Sequence, residues 1–152
     1  MTMLPIKLEN IKLNQQYKNR EDYLKKMGEQ LLSAGLVNEG YSTSIINREE
    51  IYPTGLATGE INIAIPHTDY QFSRTTDIFI TVLKTPIAFF RMDEPEKTVE
   101  VSIIVQILFD NPEKQPDILK ELMEIITNQR VLKEMIAAQE PKEVLQHFQI
   151  NN

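Results

Sequence analysis

Val99-Glu100-Val101-Ser102-Ile103-Ile104-Val105-Gln106-Ile107-Leu108-Phe109 is the most strand-like stretch of this 152-residue chain. It is rich in β-branched residues, and from Val101 onward it is apolar except at Ser102 and Gln106. A strand that is apolar almost throughout belongs at the centre of a sheet, where both of its faces are covered. What lies on either side must supply the rest of the sheet and the covering layers.

Downstream, Asp110-Asn111-Pro112 reads as a turn, and from Pro116 the apolar period becomes helical. Ile118, Leu119, Leu122, Ile125 and Ile126 form one apolar face, and Val131, Leu132, Met135 and Ile136 form another. Pro141 opens a last helix, since proline is tolerated in the first helical turn. Upstream, Ile87 to Phe90 and Ile78 to Leu83 read as strands, and Ile61, Ile63 and Ile65 alternate as a short strand stopped at Pro66-His67. Residues 54–62 read as a loop with Gly55 and Gly59. A helix from about Glu39 to Ile51, with Tyr41, Ile45 and Ile46 inward, is ended by Pro53, because the residue before proline is disfavoured in helical geometry. Asn19-Arg20-Glu21-Asp22 opens an earlier helix with Tyr23, Leu24, Met27, Leu31 and Leu32 inward and Gly35 as its C-terminal stop. Ile6 to Leu8 and Ile11 to Leu13 are one or two short strands. Helices at both ends with strands between them predict an α/β fold: a single layered domain over residues 1–152, with a central mixed sheet flanked by helices.

Composition narrows the function. Hydrophobic residues make up 41% and charged residues 25%, ordinary for a globular domain. The absence of cysteine removes disulfides, thiolate metal sites and a Cys nucleophile. Net charge is −6, with no basic cluster beyond Lys25-Lys26, so nucleic acid is not an expected partner. No run approaches the roughly 18 apolar residues of a membrane helix, and none near the N-terminus reads as a signal peptide. Direct membrane insertion is therefore not expected, and the expected location is cytoplasmic.

Phosphate-loop, dinucleotide and nucleophile-elbow motifs are missing. The two histidines, His67 and His147, are far apart in sequence, so no metal is expected. His147 reads as a helix-end residue. His67 stands where the apolar strand Ile63-Ala64-Ile65-Pro66 leaves the sheet, at the kind of strand exit where α/β folds place their sites. From these residues alone, a structural and a functional role for it are equally open.

Arg48-Glu49, then Pro53-Thr54-Gly55, then Ile63-Ala64-Ile65-Pro66-His67 resembles the fructose/mannitol superfamily of enzyme IIA domains of the phosphoenolpyruvate-dependent sugar phosphotransferase system. The likeness continues through Thr85-Pro86-Ile87-Ala88-Phe89, the long strand, Asn111-Pro112 and the helix after it, covering roughly residues 20–148. It implies a phosphotransferase component that accepts a phosphoryl group on His67, with attack through Nε2, while Arg48 lies beside it. The place of a second active-site histidine in most fructose and mannitol members falls on Gln115. This departure is similar to the galactitol-type branch and implies galactitol or a related polyol as the sugar. Thr54 and Thr68 are supporting hydroxyl donors in this reading, and no cofactor is implied. The implied donor is the histidine phosphocarrier protein, and the implied acceptor is a cysteine of the cognate enzyme IIB. Leu56, Phe72 and Ile87 are candidate docking residues. The alternative is a regulatory enzyme IIA-like module, phosphorylated at His67, that acts by protein binding rather than transport.

Overall fold

In the computed structural model, which describes residues 4–149, the long apolar stretch is the middle strand of a five-stranded sheet. The strands are β1 (Ile6–Gln15), β2 (Gly55–Leu56), β3 (Asn62–Ala64), β4 (Asp77–Phe90) and β5 (Thr98–Leu108). Across the sheet they run β1-β4-β5-β3-β2. β1 is parallel to β4 and β3 to β5, whereas β4 is antiparallel to β5 and β2 to β3. The sheet is therefore mixed, as expected.

Five α-helices are seen among the described residues: α1 (Arg20–Ser33), α2 (Tyr41–Ile51), α3 (Gln115–Ile126), α4 (Gln129–Ala137) and α5 (Pro141–Leu145). They cover the sheet in two layers. Tyr23, Leu24, Met27 and Leu31 of α1 and Tyr41 and Ile45 of α2 pack with Phe79, Leu83, Phe89, Ile104 and Leu108. The opposite face, built on Ile78, Ile80, Ile103, Val105 and Ile107, receives Leu122, Ile126, Val131, Leu132, Met135 and Val144. Both faces of β5 are thus buried, which is why its sequence does not alternate. Each fully buried Ile or Leu contributes about 1.5–3 kcal/mol relative to exposure. The polar break at Gln106 is explained within the core: its Nε2 donates to Tyr41 Oη at 2.7 Å, and both residues are fully buried.

The ends of α1 follow from its residues. Asn19 accepts from the Asp22 backbone N–H at the start. At the end Gly35 takes φ +76°, and Leu36 and Gly35 donate to the carbonyls of Leu31 and Leu32. That pair of bonds closes the helix with the left-handed residue that glycine adopts most readily.

Several expectations are corrected. The two short N-terminal strands are one strand with register shifts against β4, and the segments 78–83 and 87–90 are one strand, β4, irregular between Val82 and Ile87. Residues 55–56, read as loop, form β2, and the strand expected over 61–65 is confined to 62–64. Leu32 and Ile136 are exposed, because the buried stripes of α1 and α4 are narrower than the apolar ones. No helix among the described residues is long and apolar enough to cross a membrane.

Candidate functional site

β3 and β5 run parallel, so their carboxyl ends lie at the same end of the sheet. Beyond Ala64 the chain continues alongside β5: the Ile107 N–H donates to Pro66 O at 3.1 Å. Pro66 is buried and His67 is half-buried directly after it. The His67 ring meets the buried Phe109 ring edge-on, with centroids 6.0 Å apart. The imidazole is thus seated against the core while the residue remains partly open to solvent.

The ring is oriented by a backbone carbonyl. His67 Nδ1 lies 2.8 Å from Ile65 O. A carbonyl only accepts, so Nδ1 carries the proton and the neutral ring presents its lone pair at Nε2. Burial pushes the His67 pKa down, the bond to Ile65 opposes this, and the Arg48 charge pushes it down further. The net displacement is below the ordinary 6.5, which keeps the ring neutral and nucleophilic near neutral pH.

Arg48 arrives from the last turn of α2, where a cation also suits the negative end of the helix dipole. Its guanidinium stacks over the Tyr52 ring at 5.1 Å and reaches Asp69 Oδ1 at 3.5 Å. Asp69 is exposed, so this pair is a weak one. The guanidinium can exchange it for another anion at the His67 edge.

The other expected residues divide. Thr68 is buried, and its hydroxyl is hydrogen-bonded to Ser44 Oγ, either oxygen being able to donate. Gln115 is the first residue of α3, half-buried, at the end of the sheet that carries His67. Its side-chain amide makes no hydrogen bond among the described residues. Thr54 is a correction. It is buried, and its N–H and hydroxyl both donate to Glu49, at 2.7 and 2.8 Å, so its proton is not offered to an anion. Ile87 is another correction: it is 5% exposed, a core residue rather than a docking one. Leu56 and Phe72 are half-buried against the two cores. The exposed apolar side chains in the segments around Arg48 and His67 are Ile51, Tyr52 and Tyr70, which periodicity did not single out. Tyr52 was legible as the residue one helical turn after Arg48.

Glu49 was also missed. It is 2% exposed, and its carboxyl is raised from 4.5 to about 7 because burial outweighs the two Thr54 bonds and the attraction of Arg20. His147 lies in a terminal 3₁₀ turn, Gln146–Phe148. Among the described residues no cluster of three or more His, Asp or Glu is placed to hold a metal ion.

Comparison with known proteins matches residues 5–150 to the family described as phosphoenolpyruvate-dependent sugar phosphotransferase system, EIIA 2. The chain is similar to the PTS system galactitol-specific EIIA component of Escherichia coli K12, 26% identical over 102 residues that cover 67% of each chain. In fold it is similar to enzyme IIA mannitol of Escherichia coli, solved in complex with phosphorylated enzyme IIB mannitol (TM-score 0.75, 21% identity, 94% of this chain and 97% of that one). The crystal structure of IIA mannitol from Escherichia coli superimposes with a TM-score of 0.73 at 21% identity, covering 93% and 97%.

Proposed function

Because the chain belongs to the EIIA 2 family of the phosphoenolpyruvate-dependent sugar phosphotransferase system, and so is a phosphocarrier component of such a system, we propose that His67 is its phosphoryl acceptor. The observation that carries this is the Nδ1 contact to Ile65 O at 2.8 Å, which leaves Nε2 unprotonated on a ring that feels the Arg48 charge.

The lone pair of Nε2 attacks the phosphorus of a phosphohistidine on the histidine phosphocarrier protein. The new P–N bond forms as the donor's P–N bond breaks, and the donor ring keeps the electron pair. Nδ1–H stays on Ile65 O throughout, so no proton need move. In the second step a cysteine thiolate of the cognate enzyme IIB takes the phosphoryl group, and Nε2 regains its pair. Such transition states are loose, with charge on three equatorial oxygens, so positioning and electrostatics supply most of the catalysis. Arg48 turns from Asp69 toward these oxygens with a fork of donors. Gln115 can add an amide N–H, and Thr68 supports the segment through Ser44. Galactitol or a related polyol is the proposed sugar, supported by the likeness to the galactitol-specific component and by glutamine at 115. The proposed location is the cytoplasm.

The test uses labelled phosphoenolpyruvate, enzyme I and the histidine phosphocarrier protein. The expected product is an alkali-stable, acid-labile phosphate that maps to His67. His67→Ala should fold and take no label. Label retained by that variant, or none on the parent when a control protein is labelled, would refute the acceptor assignment. Passage of the label to an enzyme IIB separates transport from the regulatory reading.

A further inference from the structure

The hydrogen bonds leading away from His67 do not stop at Ile65. His67 Nδ1 donates to Ile65 O at 2.8 Å, the N–H of the same Ile65 donates to Thr54 O at 3.3 Å, and Thr54 N and Oγ1 donate to Glu49 Oε2 and Oε1 at 2.7 and 2.8 Å. Ile65, Thr54 and Glu49 are all buried. We propose that Glu49 is a positioning residue for His67, setting the Ile65 carbonyl, and with it the ring tautomer, through Thr54.

Two donors of Thr54 converge in a site closed to water. The N–H needs an acceptor and the hydroxyl, which can donate or accept, needs a second polar atom in the same plane. A carboxyl group supplies both, ionised or protonated, and an apolar side chain supplies neither. If they were left unpaired the Thr54 turn would move to find partners, and Thr54 O is what holds the chain at Ile65, through its N–H. A shift of the chain at Ile65 carries its carbonyl, in the next peptide unit, away from Nδ1, and the proton then has no reason to prefer Nδ1 over Nε2. A ring with its proton on Nε2 cannot attack through that atom. Glu49 also follows Arg48 in the last turn of α2. The same clamp therefore ties the helix turn carrying Arg48 to the strand exit carrying His67. Arg20 of α1 is the cation that faces the carboxyl.

The role is one of hydrogen-bond geometry, so charge is not required. In Glu49→Gln the amide oxygen accepts the Thr54 N–H while the amide NH₂ donates to Thr54 Oγ1, which accepts as readily as it donates. In Glu49→Ala neither bond is made.

This inference rests on His67 as the acceptor for its catalytic meaning, but the ring itself can be read without any phosphoryl donor. Nitrogen-15 spectra of the imidazole, assigned with a His147→Gln variant, report which nitrogen carries the proton. The parent and Glu49→Gln should show Nδ1 protonated. Glu49→Ala should show both tautomers, and its phosphoryl uptake should fall by about tenfold or more, as for a lost orienting partner. Glu49→Gln should restore uptake to within about twofold. A folded Glu49→Ala protein with the parent's tautomer would overturn the proposal. Should that variant not fold, Thr54→Val removes only the hydroxyl bond and should shift the tautomer part of the way; an unchanged ring would overturn the proposal equally. Label found on another residue, with the tautomer shift as expected, would reject the acceptor assignment and leave the positioning role standing.

Discussion

Glu49 is expected to make the fold less stable as pH rises, and Glu49→Gln is expected to abolish that loss. The carboxyl is 2% exposed, and burial raises its pKa from 4.5 to about 7 against the pull of two Thr54 bonds and Arg20. Between those values the folded chain holds a proton that the unfolded chain has released. The stabilisation is therefore fully present below 4.5 and is lost as pH rises through about 7. The interval, at about 1.4 kcal/mol per pH unit, is worth about 3 kcal/mol. An amide does not ionise, so the difference in stability between Glu49→Gln and the parent should grow by about 3 kcal/mol in favour of the variant from about pH 4.5 to about pH 8. In a chain of this length that is about 6–12 °C in Tm. Urea unfolding of both proteins across this range, with equal m-values, measures it. His67 titrates in both proteins and cancels in the difference. A difference that stays flat with pH would mean that Glu49 ionises as easily in the folded as in the unfolded chain, and the burial argument would fail.

Three further outcomes are expected. His67 should titrate below 6.5, because burial and Arg48 lower it; its contribution to stability is present above 6.5 and lost as pH falls through the folded value, and an NMR titration at or above 6.5 would contradict this. Arg48→Ala should slow phosphoryl transfer by about a hundredfold in both directions, the scale of one lost anion-stabilising donor, with rapid-quench rates unchanged within a factor of two as the contrary result. Gly55→Ala should destabilise by about 1–3 kcal/mol in urea unfolding, since a Cβ there would lie 2.5 Å from Phe90 O; a loss below about 0.5 kcal/mol would show that β2 can move away freely.

The layered fold was legible where the sequence patterns were strong. The apolar run of β5 dictated its central place, and Asn19 and Gly35 marked both ends of α1 because each satisfies backbone groups that a helix leaves open. Pairing between distant segments was not legible. Whether Ile6–Leu8 and Ile11–Leu13 are one strand depends on β4 lying beside them, and the bulge between Val82 and Ile87 lets one strand span what reads as two. Leu32 and Ile136 are apolar by composition but lie beyond the arc that the sheet covers, and burial along a helix is decided by the partner's width.

At the site, the difference between Arg48 and Glu49 shows where residue patterns stop being informative. Both belong to the same R-E pair, yet only the arginine carries a chemistry that can be named without a structure: a permanent cation near a phosphoryl group. A glutamate at the end of a helix reads as a solvated charge, and nothing local says otherwise. What changes its meaning is the turn at 53–56, which folds back so that Thr54 covers the carboxyl while its own carbonyl meets Ile65. The signal was a threonine five residues on, held by Pro53 before it and Gly55 after it, where Gly55 is required by the close approach of Phe90 O. Pro53-Thr54-Gly55 is thus the piece that joins α2 to the strand of His67. The Thr54 hydroxyl faces inward, to the Glu49 carboxyl, while the Thr54 carbonyl meets the strand exit that leads to His67.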